Sequence, residues 1–135
     1  MSLERFIEAQ KDSYATALSE IEAGQKRSHW MWYIWPQLRG LGHSPIAQHY
    51  GIDGIEEARA YLAHPVLGPR LIEISRALLA HRGRKSEEIL GGIDALKLRS
   101  SATLFAAQPD ADPVFAALLD AYCDGPDPET LKRLR

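Results

Sequence analysis

Cysteine is almost missing from this chain: Cys123 is the one example in 135 residues. No disulfide can form within the chain, and the usage fits a reducing cytosol and a cytoplasmic location. Long apolar runs are missing as well. No stretch of 18 apolar residues occurs, so neither a membrane span nor a membrane partner is expected. The opening MSLERFIEAQ carries charges where a secretory leader would need its apolar segment. Neither sign of charge dominates: 16 Lys and Arg face 18 Asp and Glu, for a net charge of −2. That balance leaves no electrostatic footprint for nucleic acid. The densest basic clusters are Arg82, Arg84 and Lys85, then Lys132, Arg133 and Arg135. They read as a loop and a tail.

Familiar chemical signatures are absent too. The chain has no GxGxxG, no P-loop and no GxSxG nucleophile elbow, so Ser100-Ser101 lacks the context of an activated serine. The five histidines show no HxxxH spacing and there is no Cys pair, so no metal site is expected. Nothing in the sequence implies a cofactor. Cys123 reads as an inert residue at the edge of the core. No internal repeat and no low-complexity segment interrupts the chain.

What the chain does have is an aromatic segment. All three Trp and one of five Tyr fall in Trp30-Met31-Trp32-Tyr33-Ile34-Trp35, with Lys26, His29 and Gln37 around them. Aromatic rings bury large areas and seek polar partners for their N–H and O–H groups. Such density marks a core anchor, the wall of a pocket, or both.

The rest of the pattern is helical. Leu3, Phe6, Ile7, Tyr14, Leu18 and Ile21 predict one amphipathic helix over 3–23, capped by Ser2 and stopped by Gly24. Gln10 lies on its apolar stripe, and a buried amide must find partners. Pro36 should end any helix near Trp35. A further turn is expected over 46–50. Asp53 and Glu56 form a capping-box pattern opening a helix to Ala63. Pro69 suits the first turn of a helix running to about His81, Ser86 can cap a short helix to Leu90, and 93–107 reads as another helix. Asp112-Pro113 is an N-cap and first-turn pair for a helix containing Val114, Phe115, Leu118, Leu119 and Tyr122. A last turn is expected over 129–134. An alternating pattern competes only at Trp30–Ile34. The length suits one domain, so the expected fold is an all-α, compact single-domain bundle spanning 1–135, with about six to eight helices, several short.

On a helical wheel, 93–107 is apolar on two sides, through Ile93, Leu96 and Leu104 and through Leu98 and Phe105. Asp94, Lys97 and Ser101 fall between these arcs, while Ala95, Arg99, Ala102 and Ala106 are left to face water. A helix of this kind is central, and burying its charges is costly unless they are paired. Asp94 and Lys97, three apart, can pair with each other as a structural bridge or meet a ligand in a cleft. His29 suits general acid–base work near neutral pH, or is a histidine satisfied by backbone. Gln37 is a clamp for a ligand or a turn cap, and Lys26 suits an anion or is simply solvated. Arg70, at a helix start, suits an anion or a neighbouring carboxylate.

The chain resembles a known family in detail. The match opens with Phe6, Ala9-Gln10, Tyr14, Ala17-Leu18, Glu20-Ile21, Gly24 and Lys26. It continues through His29-Trp30-Met31-Trp32-Tyr33-Ile34, Pro36-Gln37-Leu38, Gly40-Leu41-Gly42 and Tyr50-Gly51-Ile52. His64-Pro65, Leu67-Gly68, Arg70-Leu71, Asp94, Lys97-Leu98, Ser100-Ser101 and Thr103-Leu104-Phe105 complete it. These residues are similar to the bacterial family of domain of unknown function 1810, over about residues 6–122. Trp35 stands where that family more usually has Phe. The resemblance implies a compact all-α domain and supplies no reaction. Some members carry the label calpastatin, but inhibitors of that type are disordered, unlike a chain with three Trp and several capped helices.

Two functions compete. One is a small-molecule pocket for a nucleotide- or ribose-containing ligand, with Asp94, Lys97 and His29 as candidate catalytic residues. Gln10, Trp30, Trp32, Gln37, Arg70 and Ser101 would be its binding residues. N-glycosidic or ADP-ribose-type hydrolysis, with Asp94 as base or stabiliser, is its most specific form. The other is a non-catalytic interaction module, homo-oligomerisation included, with rings exposed as a patch.

Overall fold

The computed structural model describes residues 2–134. Ten helices are formed among them: α1 (Glu4–Lys11), α2 (Tyr14–Glu22), α3 (Met31–Ile34), α4 (Pro45–His49), α5 (Ile55–Ala63), α6 (Leu67–Leu79), α7 (Ser86–Leu90), α8 (Gly92–Ala106), α9 (Pro113–Tyr122) and α10 (Pro128–Leu134). The all-α expectation stands, but the helix count exceeds six to eight. The only ladder-like contacts among the described residues are two isolated bridges, Leu38 with Ile52 and Arg82 with Arg84.

The sequence pattern joins 3–23 into one helix, yet the chain breaks at Asp12-Ser13. Ser13 leaves helical geometry at φ −122°, ψ −24°, and its N–H turns back to the Gln10 carbonyl. The break lets Ser13 accept a hydrogen bond from the Tyr33 hydroxyl at 3.0 Å. Ser2 does not cap α1; Leu3 occupies the N-cap with no side-chain bond. Trp30–Ile34 is not a strand, since Met31–Ile34 forms the single turn α3.

Of the remaining caps, Asp112 is the one that the sequence predicts, while Ser44 is an addition. Ser44 accepts from the Ala47 N–H, and Asp112 accepts from the Val114 N–H at 2.9 Å, with Pro113 in the first turn. At α5 the carboxylate that reaches back to the Asp53 N–H belongs to Glu57, not Glu56. Glu57 also pairs with the buried Arg5 at 2.9 Å. At α7 the N-cap is Lys85 rather than Ser86, with Glu88 accepting from the Lys85 N–H.

The core runs as a chain of rings. Phe6 meets Tyr61 edge-on at 5.1 Å, Tyr61 meets Phe105 at 5.4 Å, and Phe105 meets Phe115 at 5.6 Å. Trp30 and Trp35 are also fully buried, and the Trp35 indole donates to Ser75 Oγ at 3.0 Å. Burial of such rings is the largest favourable contribution to a core of this size.

α8 is the central helix, touching α5, α7, α9 and α10. Its orientation corrects the wheel. Ala95 and Ala102 are buried, whereas Ile93 and Leu96 are 74% and 68% exposed. Small side chains let neighbouring helices close over the alanine side, while Ile93 and Leu96 in the first two turns stay open among the described residues.

Candidate functional site

The site begins with Glu20 on α2. Its carboxylate accepts hydrogen bonds from the backbone N–H groups of Arg27 and Ser28, from the Ser28 hydroxyl and from the Trp30 indole. Burial alone would raise its pKa. The Ser28 hydroxyl, the two backbone N–H groups and the indole outweigh burial and lower it to about 2. This clamp shapes the segment between α2 and α3. The Lys26 N–H then donates to the Ile89 carbonyl at the end of α7. The aromatic segment is thereby laid across the first turn of α8.

Gly91 precedes that turn at φ +89°, the left-handed region that favours glycine. Asp94 sits in the first turn, where a carboxylate is favoured by the helix dipole. Lys26 Nζ lies 2.9 Å from Asp94 Oδ2, and Lys97 Nζ lies 3.6 Å from Asp94 Oδ1. Each lysine also stands over an indole: Lys26 over Trp30 at 4.9 Å and Lys97 over Trp32 at 4.7 Å. The result is one carboxylate between two ammonium groups, with a ring behind each. Lys26, read from sequence as solvated, has a side chain only 9% exposed and donates to the Ser28 carbonyl at 2.6 Å.

A cavity of about 410 Å³ opens here, lined among others by Lys26, His29, Trp32, Ile93, Asp94 and Lys97. Its size suits a small ligand. Asp94, Lys97, His29 and Trp32 are thus brought together, with His29 exposed at the rim.

The remaining candidates lie elsewhere. Trp30 is buried in the core, 6.0 Å from Trp35. Gln10 is buried, donating to the Tyr33 carbonyl at 2.8 Å and to the Tyr61 hydroxyl at 3.0 Å. Arg70 stands over Tyr14 at 4.9 Å and donates to Gln10 Oε1 at 3.4 Å. These residues form a buried brace joining α1, α3, α5 and α6. Burial raises the pKa of the Tyr61 hydroxyl despite its bond with Gln10 and the nearby Arg70. Gln37 is outside the cavity, its carbonyl accepting from the Ile52 N–H. Ser101 lies one turn beyond Lys97, fully buried, with no hydrogen-bond partner for its Oγ among the described residues. Nothing in the structure explains that orphaned hydroxyl.

The sequence does not show that Lys26 pairs with Asp94, nor that Gly91 and Gly92 border the cavity. No local spacing could have revealed Lys26, because its partner belongs to a distant helix. A larger cavity of about 490 Å³ flanks the other side of α8, with Arg84, Arg99 and Cys123 in its wall. Its Arg99 is committed to the carbonyls of Gly125 and Pro126, and burial raises the pKa of the Cys123 thiol. Its wall also holds Lys85, Glu87, Asp124 and the Tyr122 ring, but no indole.

Residues 1–134 match the family described as protein of unknown function (DUF1810). The chain belongs to that family. This DUF1810 protein is also similar to a solved structure, the conserved hypothetical protein Rv1873 from Mycobacterium tuberculosis. The two share 51% identity and a TM-score of 0.95 over 98% of this chain and 95% of that one. No curated protein matches the chain. No described helix is long and apolar enough to cross a membrane.

Proposed function

We propose that this DUF1810 protein binds a small molecule in the cavity between α3 and the start of α8, with nucleotide- or ribose-containing compounds as the ligand class. The observation that carries the reading is the convergence of Trp32, Lys97, Asp94 and Lys26 on one cavity from two distant parts of the chain. The partly buried Trp32 ring supplies a stacking wall, Asp94 an acceptor for hydroxyl groups, and Lys97 a cationic donor. His29 and Asp94 are the groups in this cavity suited to moving a proton.

A thermal-shift screen with nucleotides and NAD-like compounds tests the reading. A true ligand at a hundredfold excess over its Kd stabilises the fold by about 2.7 kcal/mol, enough to raise Tm by several degrees. Trp32→Ala should remove that rise. A screen in which no compound shifts Tm contradicts the reading.

One observation favours an interaction module instead: Ile93 and Leu96 form an exposed apolar ridge beside the cavity. If the ridge joins copies of the chain, sedimentation equilibrium will show a dimer that the Ile93→Ser, Leu96→Ser double variant abolishes. A monomer at all concentrations contradicts self-association.

A further inference from the structure

The two lysines of the cavity are not equivalent. Lys26 is spoken for: it pairs with Asp94 at 2.9 Å, donates to the Ser28 carbonyl and rests on Trp30. Lys97 is different. Its side chain is 21% exposed, yet its ammonium reaches no hydrogen-bond acceptor among the described residues. Asp94 Oδ1, at 3.6 Å, is close enough for attraction but too far for a hydrogen bond. The remaining neighbour is the face of Trp32, which attracts a cation but accepts no conventional hydrogen bond. An ammonium carries three donors, so those of Lys97 are left to whatever enters the cavity.

Charge points the same way. Asp94 is matched by Lys26, so Lys97 leaves the cavity with one positive charge in excess. An aromatic wall with an unmatched ammonium beside it is suited to a ligand that joins a flat ring to an anion. A cationic ligand would have to displace Lys97 from Trp32 and then compete with two lysines for Asp94.

We infer that Lys97 is the anion-binding residue of this cavity and that its ligand carries a phosphate group, which draws the ammonium off Trp32 and exposes the indole to stacking. The inference rests on the cavity being a ligand site and adds which chemical group enters and which residue receives it. Phosphate suits the task because several oxygens can accept from one ammonium.

Calorimetric titration separates the two statements. The probes are adenosine, ADP and inorganic pyrophosphate. The proteins are wild type, Lys97→Met, which keeps the aliphatic stem, and Lys97→Arg, which keeps the charge. ADP should bind wild type about 10- to 100-fold more tightly than adenosine, the value of one charged hydrogen bond. Pyrophosphate should compete with ADP. Lys97→Met should bring ADP down to the affinity of adenosine without weakening adenosine, and Lys97→Arg should restore most of the difference. ADP binding should also alter the fluorescence of Trp32, and Trp32→Phe should remove that change. Equal affinity for adenosine and ADP, or ADP binding that survives Lys97→Met, overturns the anion role and leaves the small-molecule reading standing. If none of the three probes binds, the phosphate subsite is refuted, while the wider thermal-shift screen separately decides whether the cavity takes any ligand.

Discussion

Glu20 receives four hydrogen bonds from the Arg27–Trp30 segment, and these hold its carboxyl near a pKa of 2 against an ordinary 4.5. A carboxyl depressed on folding adds stability that is fully present above the unfolded value. That stability is lost as pH falls from about 4.5 towards 2. Glu20→Gln should therefore cost about 1–3 kcal/mol at neutral pH, because donors that include the buried indole lose their charged acceptor. It should also flatten the acid limb of the stability curve, which urea unfolding at stepped pH would measure. An acid limb unchanged from wild type would show that the clamp does not hold the segment. The clamp was not legible in the sequence, because its donors lie beyond the helix on Arg27, Ser28 and Trp30 and no helical spacing links them to Glu20. Gln10 was legible, because an amide on an apolar stripe must be satisfied, and it is. Its role was not, because its partners come from α3, α5 and α6.

Helices announced themselves where a local rule decides their ends. Asp112 caps α9 through a bond two residues long, and with Pro113 beside it the sequence alone places it. The break between α1 and α2 coincides with a tertiary contact, Tyr33 with Ser13, which the apolar spacing of 3–23 does not reveal. The wheel places the wrong face of α8 inside because apolar character is not burial: close helix packing buries Ala95 and Ala102 and leaves Ile93 and Leu96 outside. A similar close approach joins α5 to α6. A Cβ added at Gly68 would fall 2.1 Å from the Leu62 carbonyl oxygen. Gly68→Ala should force the two helices apart and cost about 1–3 kcal/mol or more. Gly54→Ala, where a Cβ would meet nothing within 4 Å, should change stability by no more than about 0.5 kcal/mol. Equal melting temperatures for the two variants would contradict the packing described.

Across the whole molecule, residues 26–32 and 90–97 meet although neither segment's spacing refers to the other. The wheel showed that Asp94 and Lys97 needed partners, and the aromatic segment showed that a wall was available. Their joining depends on the Glu20 clamp and the Lys26–Ile89 bond, which only the folded chain reveals. This junction is proposed as a ligand cavity with Trp32 as its ring wall. The three indole N–H resonances of ¹⁵N-labelled protein test it most directly during titration with ADP. Trp30 and Trp35 are buried and bonded to Glu20 and Ser75, so their signals should stay in place while those of Trp32, Gly91 and Gly92 move. A Trp32 signal that stays fixed while ADP perturbs another part of the molecule, or a spectrum that ADP leaves unchanged throughout, would contradict the account.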